Sequence, residues 1–261
     1  MRIYCLAEKS LFSRRLIIAQ VDILLYNIHI INFKEFKMFA TGMVRSASEI
    51  NSAMARVYGH MGLAVLVSMI ASMLVAASPA VMAVLFGTGL KWVIMFAPLV
   101  AVLGMSLAYE KMTKGTIQIL LYAFALLMGV SFATIFVVFQ IGSIVSAFMG
   151  AAILFGTLTF YGYFTKKDLS SWGTFLLVGV IAIVLASIVN IFIGSSALAM
   201  TISAIAILVF LGLTAYDTQR IREIVTYEND GKAELMGALS LYLNFINIFL
   251  SLLQLFGNRN D

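Results

Sequence analysis

Apolar residues run through this chain in seven long stretches, separated by short clusters of polar and charged residues. At approximate boundaries they are Val57–Ala77, Leu90–Tyr109, Thr116–Phe139, Ile141–Phe164, Trp172–Ile193, Ser196–Tyr216 and Leu235–Phe256. Each is close to the roughly 20 helical residues that cross a bilayer core. Pro79 stops the first, and Pro98 inside the second frees a backbone carbonyl and predicts a kink. Only Gln140 to Ser143 remains to turn the third stretch into the fourth, which predicts an antiparallel hairpin. The fourth carries Gly142, Ser146 and Gly150 at intervals of four; such small residues let helices approach closely. Gly194 and Ser195 join the fifth to the sixth. The short run Ala80–Phe86 fits an interfacial segment or an extension of a neighbouring helix.

The last stretch has no charge but is not uniformly apolar. Gly237, Ser240, Asn244, Asn247, Ser251, Gln254 and Asn258 follow at spacings of 3, 4, 3, 4, 3 and 4. In a helix these residues share one face. Amides exposed to hydrocarbon cost several kcal/mol, so the seam faces other helices or water. This predicts a central helix with the earlier spans packed round it. The seam serves either as interhelical hydrogen-bond glue or as a solvated path, with Ser240, Asn247, Ser251 and Gln254 as candidate lining residues.

Composition narrows the class. Of 261 residues, 62% are hydrophobic and 11% charged, and the mean hydropathy is +1.03, which no soluble domain requires. The expectation is an all-α integral membrane protein with seven transmembrane helices, the last one central. Residues 57–261 form the membrane domain and residues 43–56 a polar cytoplasmic lead-in. Residues 1–42 match neither, since Asp22, Asn27, His29 and Asn32 interrupt their apolar run. They read as an atypical extension ahead of a start at Met38 or Met43. One cysteine, Cys5, and two histidines, His29 and His60, supply neither a disulfide nor a zinc site unaided. There is no phosphate-binding loop, nucleophile elbow or paired catalytic carboxylate, so the chain reads as a non-enzyme. The net charge of +5 lies between apolar spans, not in a nucleic-acid-binding patch. A cytoplasmic start to the first span puts Arg45, Arg56, Lys111, Lys114, Lys166, Lys167, Arg220, Arg222 and Lys232 inside, against Lys91 and Arg259 outside. That bias predicts a cytoplasmic N-terminus and a C-terminus on the opposite side.

The charges at the span ends hold the candidate chemistry. Asp217 falls in the last turn of the sixth span, with Arg220 at i+3 and Glu223 at i+6. An ionisable group near membrane depth is a functional candidate when a partner exists. Asp217 either meets Asn244 across the last two helices or pairs with Arg220 and marks the helix end. Lys111, beside Glu110 and Lys114, is either an interfacial snorkel or a latch onto Asp217. His60 and Asn190 read as structural hydrogen-bond formers. Lys166, Lys167 and Asp168 read as a solvated loop, and Glu228, Asp230 and Glu234 as solvated acids.

The motif AYDTQRI (residues 215–221), then GALSLYLNFINIFLSLLQLFGNR (237–259), resembles the Bax inhibitor-1 family. YGYFTKKDLS (161–170) and VNIFIGSS (189–196) are similar to its bacterial branch, and the likeness runs from about Val57 to Arg259. It implies a seven-helix fold with the last helix central, and a pH-sensitive calcium leak. The chain ends without a lysine-rich tail, which implies a bacterial inner membrane. The family's pH sensor is a pair of aspartates on the last two helices. Asp217 matches the first and Asn244 occupies the second position; Lys111 matches the proposed latch. Asp217 would hold calcium only weakly and transiently, because calcium prefers about 6–8 oxygens and few are offered here.

The leading expectation is thus a pH-modulated calcium or cation leak, gated at the cytoplasmic ends of the last two helices and needing no cofactor. The alternative is a non-conducting regulator that binds other membrane proteins, such as a membrane protease. Asn244 cannot repel a charged Asp217 and can donate to it, whereas paired carboxylates titrate together with one proton held tightly. Flux should therefore respond less to pH near neutrality than in members with the pair. Replacing Asn244→Asp raises the midpoint of the pH response in a vesicle flux assay; an unchanged profile counts against a shared site.

Overall fold

The computed structural model describes residues 44–260, and the expectation for residues 1–42 lies outside them. Its elements are α1 (Ala47–Ala76), α2 (Pro79–Gly87), α3 (Leu90–Ala108) with a 3-10 turn (Tyr109–Lys111), α4 (Lys114–Phe132), α5 (Ile135–Val138), α6 (Ile141–Phe164), α7 (Ser170–Ile193), α8 (Ser196–Tyr227) and α9 (Lys232–Phe256). Among the described residues, seven helical spans are long and apolar enough to cross a membrane. There are no strands there, only one antiparallel bridge between Phe139 and Arg259.

The helix starts have local causes. Ser46 accepts from the Glu49 amide while the Glu49 carboxylate accepts from the Ser46 amide, so α1 opens with a capping box. Residues 47–56 of the polar lead-in form the first turns of α1. Ser78, Thr113 and Ser195 cap α2, α4 and α8. Pro79 is the first residue of α2, where its missing N–H costs nothing, so the apolar run after it is a short helix of its own. Gly194 closes α7 at φ +69°, and Gly231 turns α8 into α9 at φ +71°, backbone angles that glycine adopts without strain.

The last helix is the axis of the bundle. Every residue from Ala233 to Leu253 is buried, and α9 packs against α8, α1, α6 and α4. Tyr242 anchors it. The phenol lies 2.7 Å from Ser68 Oγ of α1, and the ring meets Phe124 of α4 edge-on at 5.9 Å. A buried tyrosine needs such a hydroxyl partner. The third and fourth spans do turn at Phe139–Gln140, but they form no packed hairpin. Helix α4 breaks at Ala133–Thr134 into α5, and α4 and α6 both lie against α9. A polar-seamed helix needs cover on all sides, and that need separates them.

Close approaches occur at glycines other than the predicted stripe. A Cβ on Gly162 of α6 would come within 2.3 Å of the Ala215 carbonyl oxygen of α8, and one on Gly129 of α4 within 2.5 Å of the Ser68 carbonyl oxygen of α1. Gly142 has no neighbour, and Gly150 touches only Leu252 at an ordinary 3.5 Å. With Ser146, Leu252 and Asn258 they line a groove of about 520 Å3.

The two ends of the bundle are tied separately. At one, the Arg45 amide donates to the Thr226 carbonyl at 3.1 Å. At the other, Gln140 N donates to the Asn258 carbonyl and Asn260 N to the Val138 carbonyl, each at 3.0 Å. Substituting Gly162→Ala forces α6 off the α8 backbone and costs about 1–3 kcal/mol; thermal unfolding in detergent measures it as a lower midpoint.

Candidate functional site

Hydropathy ends the sixth span at Tyr216, yet α8 continues to Tyr227. The extra turns are polar and are held by side chains. Gln219 accepts from the Leu169 amide and donates to the Lys167 carbonyl, both at 2.8 Å. Arg222 donates to the Tyr163 carbonyl at 2.9 Å and lies over that ring at 4.8 Å. The backbone of the loop after α6 is therefore clamped to α8 while Lys166, Lys167 and Asp168 stay exposed as expected, and Asp168 caps the Ser170 amide at 2.8 Å.

This extension places Asp217 well inside α8, at 2% exposure, instead of at a helix end. Its Oδ2 accepts from Ser240 Oγ and from Asn244 Nδ2, each at 2.7 Å. Ser240 and Asn244 lie one turn apart on α9, so a single carboxylate oxygen spans two adjacent positions of the seam. Gly237, one step earlier, has no side chain, and Ile221 of α8 fills that space. The meeting of Asp217 with Asn244 is the arrangement observed.

The latch candidates behave differently. Arg220 is buried at 5% exposure, yet its Nε and one terminal nitrogen have no hydrogen-bond partner. Its guanidinium lies 5.9 Å from the Tyr216 ring and within electrostatic reach of Asp217. Lys111 is exposed at the end of its 3-10 turn. Among the described residues, neither forms an ion pair with Asp217 within 4.0 Å.

Beyond Asn244 the seam changes character. Asn247 Nδ2 donates back to the Leu243 carbonyl at 2.9 Å. Asn244 Oδ1, Ser251 Oγ and Gln254 Oε1 are buried without a hydrogen-bond partner. From Asn244 to Gln254 the helix rises about 15 Å, so these unpartnered oxygens form a column leading away from Asp217. Buried polar atoms are normally satisfied, and a column of exceptions on one face is suited to water or cations. No group of three or more histidines, cysteines or acids able to hold a metal occurs among the described residues.

Glu234 belongs to this region and departs from its expected solvation. It is 2% exposed. It accepts both Nε and NH2 of Arg56 at 2.7 Å and pairs with Arg45 at 3.4 Å. A signal existed: Glu234 stands three residues before Gly237, on the same face as the seam. His60 and Asn190 are structural, as expected. His60 Nδ1 lies 2.7 Å from Tyr122 Oη, and Asn190 Oδ1 accepts from the Ser195 amide at 3.1 Å.

Seven spans, the last of them buried and polar-seamed with one carboxylate held against its flank, define a polytopic α-helical membrane protein. The chain belongs to the Bax inhibitor-1 family, whose model, described as inhibitor of apoptosis-promoting Bax1, matches residues 50–261. It is 38% identical over 224 residues to inner membrane protein YbhL of Escherichia coli K12, covering 83% of this chain and 96% of that protein. An uncharacterised protein of Rickettsia prowazekii, RP147, is 37% identical over 212 residues, covering 80% and 90% of the two chains. One from Caulobacter vibrioides is 38% identical over 223 residues, covering 80% and 89%.

Replacing Glu234→Gln leaves Arg45 and Arg56 without their shared anion. The loss is about 3 kcal/mol, the low end for a broken buried pair, because Arg56 is half exposed. Chemical unfolding in detergent reads it, and a variant as stable as the parent shows that the triad contributes nothing net.

Proposed function

We propose that this protein is a passive, pH-modulated cation leak of the bacterial inner membrane, the location that the name of its relative YbhL carries. Calcium is the ion that the family resemblance implies. The observation that supports this reading is the buried Asp217 carboxylate, held by Ser240 and Asn244 at the head of a column of unpartnered oxygens. A helix that served only as packing would satisfy those atoms or replace them with apolar groups.

The gate lies at the α8–α9 contact. Ionised, Asp217 is an acceptor only, and both seam residues donate to it. Protonated, it loses its charge, so the bonds it accepts from Ser240 and Asn244 are no longer charge-assisted and weaken. A proton on Asp217 thus weakens the bond between α8 and α9 at the mouth of the column. The Lys/Arg bias puts this mouth and the N-terminal end of α1 on the cytoplasmic side. No covalent chemistry is assigned to the site, and its role is that of a conduit.

A second reading has one observation in its favour. The small-residue face of α6 opens onto a groove beside Leu252 and Asn258, and a groove of that kind suits a helix of another membrane protein, such as a membrane protease. In that reading the chain regulates a partner and does not conduct.

The test is calcium and potassium influx into vesicles bearing the purified protein, from about pH 5 to about pH 8, beside Asp217→Ala. The expected result is protein-dependent flux whose pH response flattens in the variant. Flux no greater than in empty vesicles at every pH removes the leak reading and leaves the regulator.

A further inference from the structure

Charge at the gate has two sides, and the seam supplies only one of them. Asp217 is the only carboxylate in contact with the seam between Gly237 and Gln254 among the described residues. The position across from it is an uncharged amide, Asn244, and three residues along α8 stands Arg220. That guanidinium is buried and under-bonded, and arginine does not lose its proton in proteins. Glu223 is exposed, and Glu234 is already committed to Arg45 and Arg56. The fixed charge that an ion meets at Asp217 is therefore one negative group balanced by one buried positive group.

We infer that the path past Asp217 favours monovalent cations and discriminates against calcium, because its single carboxylate is offset by the buried Arg220 and faces an amide. The inference rests on the leak reading and names its substrate class. The physical argument is one of scaling. Removing an ion from water costs free energy in proportion to the square of its charge, whereas attraction to one carboxylate grows only linearly. Repulsion from Arg220 also doubles for a divalent ion. A second carboxylate at position 244 would offset that cost, and Asn244 does not.

The column beyond the gate points the same way. Asn244 Oδ1, Ser251 Oγ and Gln254 Oε1 are single neutral oxygens without hydrogen-bond partners, separated along the axis by about 10 Å and about 5 Å, with the neutral amide of Asn247 between the first two. Calcium takes about 6–8 oxygens at once, and a file of isolated oxygens cannot supply such a cage. A monovalent cation that keeps part of its water shell asks less of each oxygen, and weak successive sites are what conduction requires.

The test uses the full chain in vesicles of zwitterionic phosphatidylcholine, so that lipid charge does not enrich divalent ions at the surface. Potassium and calcium influx are measured at equal electrochemical driving force. The expected result is potassium flux exceeding calcium flux by about tenfold or more, which corresponds to a barrier difference of about one RT ln 10. Asn244→Asp restores the second carboxylate and raises the calcium-to-potassium ratio by about fivefold or more. Arg220→Gln removes the opposing charge and raises the same ratio, so the inference stays testable if either variant fails to fold. Calcium flux equal to or above that of potassium in the parent overturns the inference and leaves the leak standing, as does an unmoved ratio in folded Asn244→Asp. Absence of flux for both ions overturns the leak and the inference together.

Discussion

Covering a polar helix inside a membrane protein is the constraint from which the rest of this structure follows. Helix α9 carries amides and hydroxyls along one face that lipid cannot satisfy, so it must be surrounded. Helices α8, α1, α6 and α4 provide that cover. The third and fourth spans, adjacent in sequence and joined by a tight turn, lie against α9 instead of against each other. Local connectivity would favour a hairpin, but the cost of leaving the α9 amides in hydrocarbon is larger than the benefit of pairing two apolar helices, which lipid solvates equally well.

Within that arrangement, two different devices hold the helices together. Where backbones must approach, glycine removes the obstacle, as at Gly162 against Ala215 and Gly129 against Ser68. Where polar groups must be matched, hydrogen bonds cross between helices, as between Ser68 and Tyr242 and from Ser240 and Asn244 to Asp217. The two devices meet on α8, where Ala215 receives the glycine contact and Asp217, two residues on, receives the hydrogen bonds. Packing of α6 thus fixes the depth at which the carboxylate sits.

Hydropathy made the existence and order of the seven spans legible, and the 3–4 spacing of the seam made the central helix legible. Both signals are local and periodic. The span ends were less legible, because hydropathy reports contact with hydrocarbon and a helix can run on beyond it. Helix α8 does so from Asp217 to Tyr227, kept helical by Gln219 and Arg222 contacts with the α6–α7 loop. Glu234 was misread because its partners, Arg45 and Arg56, lie 189 and 178 residues away and no local pattern announces them. Residues Asp217 and Asn244 were found because each belongs to a short ordered motif, while the isolation of Lys111 from them depends on how the 3-10 turn leaves α3.

The strap formed by Asn258 and Asn260 across the α5–α6 junction sets a mechanical limit. Helix α9 is held at its far end by that strap and at its near end by Glu234 between Arg56 of α1 and Arg45, which precedes that helix. A rod pinned at both ends cannot slide along its axis. The motions left to it are rotation about that axis and the departure of a neighbour, so the central helix acts as the stator of this bundle and its surrounding helices as the moving parts.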